Sequence, residues 1–419
     1  MTTPLRIPFP VVDEVSRHCD REAEPNTVLI EVHLPGDLDP GRLRKAFTEA
    51  LRRHPRSLAR EAPGPWYRRR YEWELTDEPD VEVVSFPPPG KDALRDARAR
   101  ALTQAPPLAQ SPPVRLEVVA GEEGTALVLT VNHTALDGPA CLRVLATAAE
   151  LYGGRDNAPA APPVRPPDVP QGPPDTPSHW TPPARVARGT PEATRGNGLL
   201  LTELALPHRP KGSPYTVNDQ LMVATALTIA HWNRERGAAR RPLRITMPVD
   251  DRPRDASMPI GNGTRLVEVP FAPEELDGDD LRELLRRTAL RTRALKALPR
   301  PQLGHGARLL TAPWAPVTCR AAFIRGLRRA AAPWTSTTLL SNIGRIPYAL
   351  DFGDGAGRAR AVWFSAPAQM PRGLTFTTAS TEGRLHLALR WSRALLGSGD
   401  GDRLLDLFAH HLHSTEATE

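Results

Sequence analysis

The stretch Leu127–Gly138, LVLTVNHTALDG, decides the reading of this chain. Its first half is an unbroken apolar run containing β-branched residues, the pattern of a buried strand, and it leads directly into His133. Asp137 and Gly138 form a tight turn. After it an amphipathic pattern carries Leu142, Leu145, Ala146, Ala149 and Leu151 until the paired glycines 153 and 154 stop the helix. An imidazole therefore sits at the mouth of a strand, just before a helix N-terminus, with a carboxylate one turn away. With an ordinary pKa of about 6.5, an imidazole can take a proton from an attacking amine or hydroxyl and return it to a leaving group at neutral pH. The carboxylate can orient the ring or tie the turn down through an arginine. A plainer alternative, an interior histidine followed by an ordinary turn, fits the same residues.

Working outward, Thr27–Leu34 alternates with the period of a half-buried strand. Asp39-Pro40 caps and opens a helix whose apolar face is Leu43, Ala46, Phe47, Ala50 and Leu51, stopped by His54-Pro55. Val114–Val119 and Ala126–Asn132 read as further strands. Between Asn157 and Pro183 eleven prolines leave neither helix nor central strand available, so an extended tether is expected there. Beyond it, strands are expected at Leu199–Leu206, Leu243–Val249 and Leu385–Trp391, and helices at Thr216–Trp232, Leu281–Leu298 and Arg403–His413. The organisation predicted is an N-terminal lobe over 1–156, a Pro-rich linker over 157–196 and a C-terminal lobe over 197–419, each α/β with mixed sheets.

The 419 residues suit two or three domain-sized units. The net charge of +6 comes from 54 basic residues, 50 of them Arg, spread along the chain with no basic block, which gives no footprint for nucleic acid. The mean hydropathy is −0.38 and the apolar runs are far shorter than the ~20 residues of a membrane span, so no membrane partner is expected. MTTPLRIPFPVVDE lacks the features of a signal peptide, and Cys19, Cys141 and Cys319 have no CxxC spacing. A cytoplasmic protein with no bound metal or cofactor is expected.

Several of these segments together resemble the condensation-domain superfamily, which includes nonribosomal peptide condensation domains, chloramphenicol-acetyltransferase-like enzymes and polyketide-associated acyltransferases. NHTALDG (Asn132–Gly138) resembles its HHxxxDG motif. Leu38–Pro55 (LDPGRLRKAFTEALRRHP) is similar to its first helix, Thr216–Ala226 (TVNDQLMVATA) to the helix opening its second lobe, and Met247–Arg254 (MPVDDRPR) with Ile260-Gly261-Asn262 to its central strand and following loop. Ser341-Asn342-Ile343-Gly344 resembles a Ser-Asn-x-Gly segment of stand-alone members. The resemblance runs in family order over nearly the whole chain. It implies two chloramphenicol-acetyltransferase-like lobes in a V-shaped pseudo-dimer with a tunnel between them.

It further implies His133 as the catalytic histidine and Asp137 as a structural carboxylate paired to an arginine, Arg252 first and Arg254 second, with Gly138 opening the helix. Ser341, Asn342 and Gly344 are implied to line the tunnel, or else only shape a strand end. Asn132 departs from the family, which has a histidine there; Asn still offers a donor and an acceptor for supporting the turn. The implied activity is acyl or aminoacyl transfer in specialised-metabolite biosynthesis of nonribosomal-peptide or polyketide type. The donor would be a thioester of carrier-protein phosphopantetheine or coenzyme A, the acceptor a small-molecule amine or alcohol, and an acyl or peptidyl carrier protein a partner. Two alternatives stay open: the same fold turned to cyclisation, dehydration or isomerisation, and a non-catalytic module that recruits a carrier. Backbone N–H groups near Gly138 are candidate oxyanion donors. Cys141, in the first turn of the same helix, is a rival nucleophile or a small core residue. The histidines 410, 411 and 413 read as a solvated helix end, and Asp351-Phe352-Gly353 lacks every other kinase element.

Overall fold

The apolar alternation in Thr27–Leu34 resolves into two packed faces. Val28, Ile30 and Val32 point into one core with Leu43, Phe47 and Leu51, while Leu29 packs on the opposite side with Val128, Ala97 and Ala101. In the computed structural model, which describes residues 4–155, 181–253, 257–278, 280–298, 302–303, 307–353 and 355–416, this segment is strand β2. A five-stranded sheet runs in the order β12 (Ala361–Ser365), β2 (Thr27–Leu34), β7 (Gly124–Asn132), β6 (Val114–Gly121), β5 (Val84–Ser85). A six-stranded sheet runs β10 (Arg265–Phe271), β9 (Leu243–Val249), β11 (Thr338–Arg345), β13 (Leu374–Thr381), β14 (Arg384–Ser392), β8 (Asn197–Ala205). β11 is parallel to both its neighbours and the other pairs of this sheet are antiparallel. A small sheet, absent from the sequence reading, joins β1 (Arg6–Pro8), β4 (Glu72–Leu75) and β3 (Ala59–Glu61).

The helices are α1 (Val11–Cys19), α2 (Pro40–Arg53), α3 (Ala93–Thr103), α4 (Gly138–Tyr152), α5 (Val217–Glu235), α6 (Pro273–Leu276), α7 (Leu281–Ala297), α8 (Ala307–Thr311), α9 (Val317–Ala330) and α10 (Ser398–Ser414). Asp39 caps α2 by accepting from Arg42 N at 2.6 Å, and Pro40 takes the first helical position, where its missing donor costs nothing. α2 and α4 cover one face of the first sheet, and α5, α7 and α10 cover one face of the second. The predicted tether falls mostly on 157–180, outside the described residues, as does Arg254.

The sheets do not divide where the chain does. β12 comes from beyond the linker yet pairs antiparallel with β2, Val362 opposite Val32, and Leu350, Phe352, Val362 and Phe364 belong to the first core. Two further contacts join the units. Trp363 on β12 donates its indole N–H to Thr202 O of β8, and the buried Arg390 of β14 donates to Thr27 O and Pro25 O. Two mixed units thus share strands and a seam, and the end of β7 opens onto that seam.

Candidate active site

β7 ends at Asn132, and the next residue leaves the sheet with its N–H donated to Asn26 O at 2.8 Å. Asn132 is buried and uses both ends of its amide on the turn: Nδ2 donates to Pro106 O at 3.1 Å, and Oδ1 accepts from Thr134 N at 3.1 Å. It holds the loop from behind. His133 Nδ1 lies 3.1 Å from Leu136 O, and since a carbonyl can only accept, Nδ1 carries the proton there. Nε2 is left as the lone-pair nitrogen. The ring is half-buried and lines a cavity of about 550 Å³ between the units.

Asp137 closes the turn and ties the units together. Its Oδ1 caps α4 by accepting from Ala140 N at 3.1 Å. Arg252 Nη2 donates to both its oxygens, at 2.9 and 2.7 Å, and Gly263 N and Thr264 N add 2.8 and 3.2 Å bonds to Oδ2. Arg252, the first candidate partner read from the sequence, is the arginine in contact. It is also gripped by Asp250 and by the carbonyls of Pro259 and Gly261. Burial opposes its charge, but the hydrogen bonds it donates to Asp250 and the field of Asp137 outweigh that and hold it above the usual arginine range. Gly138, opening α4, lies against Phe364 and Ile343, with a Cβ there 3.4 Å from Phe364 Cδ1.

Two residues that sequence reasoning did not single out complete the turn. Asn262 Nδ2 lies within bonding distance of His133 O (3.1 Å), Thr134 O (2.9 Å) and Asp13 Oδ1 (2.9 Å). Asp13, fully buried on α1, also accepts from Trp73 Nε1 and Arg56 Nη2, each at 2.8 Å. Burial pushes its carboxyl up to about 6 against the pull of Arg56 and the bonds from Asn262 and Trp73. The signal for Asn262 was present in the Ile260-Gly261-Asn262 segment; nothing local marks Asp13.

Ser341 and Asn342 line the cavity with His133, opposite Phe364. Asn342 Nδ2 donates to Asn218 Oδ1 at 3.2 Å, and its Oδ1 accepts from Gly344 N at 2.9 Å across an irregularity in β11. Gly344, at φ +75°, lines instead a neighbouring cavity of about 600 Å³ that shares Asn342. The start of α4 offers few oxyanion donors: Pro139 has none, and Ala140 and Cys141 give theirs to Asp137, which leaves the Gly138 N–H as that turn's candidate. Cys141 is buried, outside the cavity lining, and burial with the nearby Asp137 charge pushes its thiol well up, so a thiolate is disfavoured there.

No family model matches the chain. Over 403 residues it is 29% identical to an uncharacterized protein of Mycobacterium tuberculosis, covering 88% of this chain and 90% of that one. Among solved structures it resembles a trichothecene 15-O-acetyltransferase from Fusarium sporotrichioides (TM-score 0.66, 11% identity, 98% of this chain and 95% of that one). It also resembles the condensation domain of the monacolin K polyketide synthase MokA (TM-score 0.65, 12% identity, 100% and 99%). A third likeness is to the EpoB cyclization-docking bidomain from Sorangium cellulosum (TM-score 0.61, 16% identity, 99% and 85%). These likenesses fix the fold: the chain has the two-unit architecture of condensation domains and chloramphenicol-acetyltransferase-like enzymes along nearly its whole length.

Proposed function

We propose that this chain, having the fold of a condensation domain and of an O-acetyltransferase, is itself an acyltransferase that moves an acyl or aminoacyl group from a thioester to an amine or hydroxyl. One observation carries the reading: the imidazole at the cavity wall has its Nδ1 proton fixed on Leu136 O, so Nε2 is the basic nitrogen presented for chemistry. In the reaction the acceptor's N–H or O–H gives its proton to Nε2 as its heteroatom attacks the thioester carbonyl. The tetrahedral oxyanion collapses with cleavage of the C–S bond, and the imidazolium returns the proton to the departing thiolate. Asp137, Arg252 and Asn262 act by holding the turn that carries the ring.

The replacement at Asn132 does not weaken this reading, because that side chain faces Pro106 and the turn and is not part of the cavity wall. The donor is proposed to be carried on phosphopantetheine of a carrier protein or on coenzyme A. A hollow of about 540 Å³ shares Arg328 with the main cavity and is lined by Arg21, Arg325 and Arg329, a basic mouth suited to an acidic carrier. The test is turnover with loaded carrier or acyl-coenzyme A against a panel of amines and alcohols, followed by mass spectrometry. A product joining two substrates is expected, and it should vanish in His133→Ala. A product made from one substrate would point to cyclisation or isomerisation, and full turnover in His133→Ala would remove the assigned base.

A further inference from the structure

Several buried or half-buried arginines lie at the seam among the described residues, and most are held by protein acceptors, Arg328 by the carbonyls of Cys19 and Met370 with Gln369 Oε1. Arg252 is held by carboxylates. Arg320 is held by Glu14 and the carbonyls of Arg69 and Ala315, and Arg390 by the carbonyls of Thr27 and Pro25 with Asn197 Oδ1. Arg372 is different. It lines the cavity, and its only bonds among the described residues run to hydroxyls: Nε and Nη2 to Ser336 Oγ at 3.1 and 2.9 Å, and Nη2 to Thr246 Oγ1 at 3.2 Å. Ser336 and Thr246 are buried and bonded to each other at 2.6 Å, so this edge of the guanidinium is fixed. Nη1 has no acceptor among the described residues.

Among the described residues no carboxylate bonds to this group. Arg328 and Arg185 raise the positive field around it, and the acid that favours its charge, Glu268, is engaged by Arg244 at 3.2 Å. Burial, with these two arginines adding to it, pushes its pKa down to about 10, so it is still a cation at neutral pH. The residue is half-buried and its open side is the cavity, where a cation with no carboxylate bonded to it favours an anionic ligand. β11 runs past both the His133 turn and the floor of Arg372. Ile343 lies against Gly138, whereas Arg372 is held on Thr246, which pairs with Leu339. Four residues of strand separate these two points of the cavity wall, so the guanidinium and the His133 turn lie at different places along β11.

We propose that Arg372 is an anion subsite of this cavity, and that the substrate group filling this arm carries a carboxylate that pairs with it. Assigning the anion to a substrate rests on the acyl-transfer reading; the subsite itself does not. Sebacate, a ten-carbon dicarboxylate, and pantetheine 4′-phosphate serve as probes, with 1,10-decanediol and pantetheine as their neutral counterparts, in calorimetric titrations of the full chain. Sebacate is expected to bind the wild type, at least about tenfold more weakly to Arg372→Gln, and with intermediate strength to Arg372→Lys, while decanediol does not distinguish them. His133→Ala is expected to retain sebacate binding, so loss of turnover in that variant and failure of the subsite are separate results. If Arg372→Gln melts below the wild type, Arg372→Lys carries the comparison. Equal sebacate affinity in wild type and folded variants, or no sebacate binding by the wild type, overturns the proposal. Binding of the pantetheine phosphate alone assigns the cation to the thioester arm and overturns the carboxylate.

Discussion

Residues 131–140 and 391–400 have the same backbone in the two units: the end of a sheet strand, a three-residue turn and the first turn of a helix. Their side chains do unlike work. In the first unit Asn132, His133 and Asp137 support a turn, place an imidazole on the cavity wall and cap a helix while holding the opposite unit through Arg252. In the second unit the matching places hold Ser392, Arg393 and Gly397. Ser392 donates to Glu24, and Arg393 pairs with Glu192 at 3.2 Å. The cap position has no side chain, and the carboxylate has moved three residues into the helix. There Asp400 accepts from Gly397 N and Thr190 N and pairs with Arg236. One scaffold thus yields a reactive turn or a clamp on the chain entering the second unit, according to three side chains.

The comparison can be broken most sharply at the second residue of each turn. His133→Ala is expected to lower turnover by about 10³-fold with little change in melting temperature, whereas Arg393→Ala, which removes a half-buried pair, should leave turnover intact and cost about 1 kcal/mol in denaturant titration. Next is the cap. Asp137→Ala leaves Arg252 buried with only Asp250 for a counter-ion and should cost about 3 kcal/mol of stability. An unchanged denaturation midpoint would mean that the clasp between the units is dispensable.

The buried Asp13 behind the first turn predicts a pH dependence. Asp13 keeps its proton up to about pH 6 when folded but only to about 3.8 when unfolded, so the native state is favoured most below the lower value. That part of the stability, on the order of 2–3 kcal/mol, is lost as pH rises through 6. Asp13→Asn should flatten the change in denaturation midpoint between pH 4 and 6.5. A cost in stability with no gain in function is expected from moving the carboxylate back in the second unit. A Cβ on Gly397 would lie 2.5 Å from Thr190 O, so Gly397→Asp should cost about 1–3 kcal/mol and gain no activity.

Local patterns carried much of this architecture. Thr27–Leu34 and Leu243–Val249 form strands with the bounds that alternation and apolar run length predict, and the Asp39 cap sits where a capping residue before proline places it. The ends of α10 and β8 differ from the reading by a few residues, because caps and frayed turns are weaker signals than periodicity. What stayed illegible is non-local. β12 is five residues of apolar chain whose destination is a sheet begun more than three hundred residues earlier. Asp13 meets Asn262 across 249 positions, and Arg372 becomes notable only when its neighbours prove to be hydroxyls rather than acids. Within the site, the Asn132–Gly138 segment marked the turn that carries the imidazole, whereas the bond from His133 Nδ1 to Leu136 O shows only in the folded chain.

The late arrival of β12 bears on how the chain is born. A ribosome releases β2 and β7 early, but the strand that covers the outer edge of β2 emerges only after the linker and most of the second unit. At roughly 5–20 residues per second this leaves Ile30 and Val32 on a bare edge for tens of seconds, the condition under which nascent strands pair with strangers. The first sheet is then completed after synthesis is nearly over, and a truncated product ending before Ala361 would emerge with its stickiest edge uncovered.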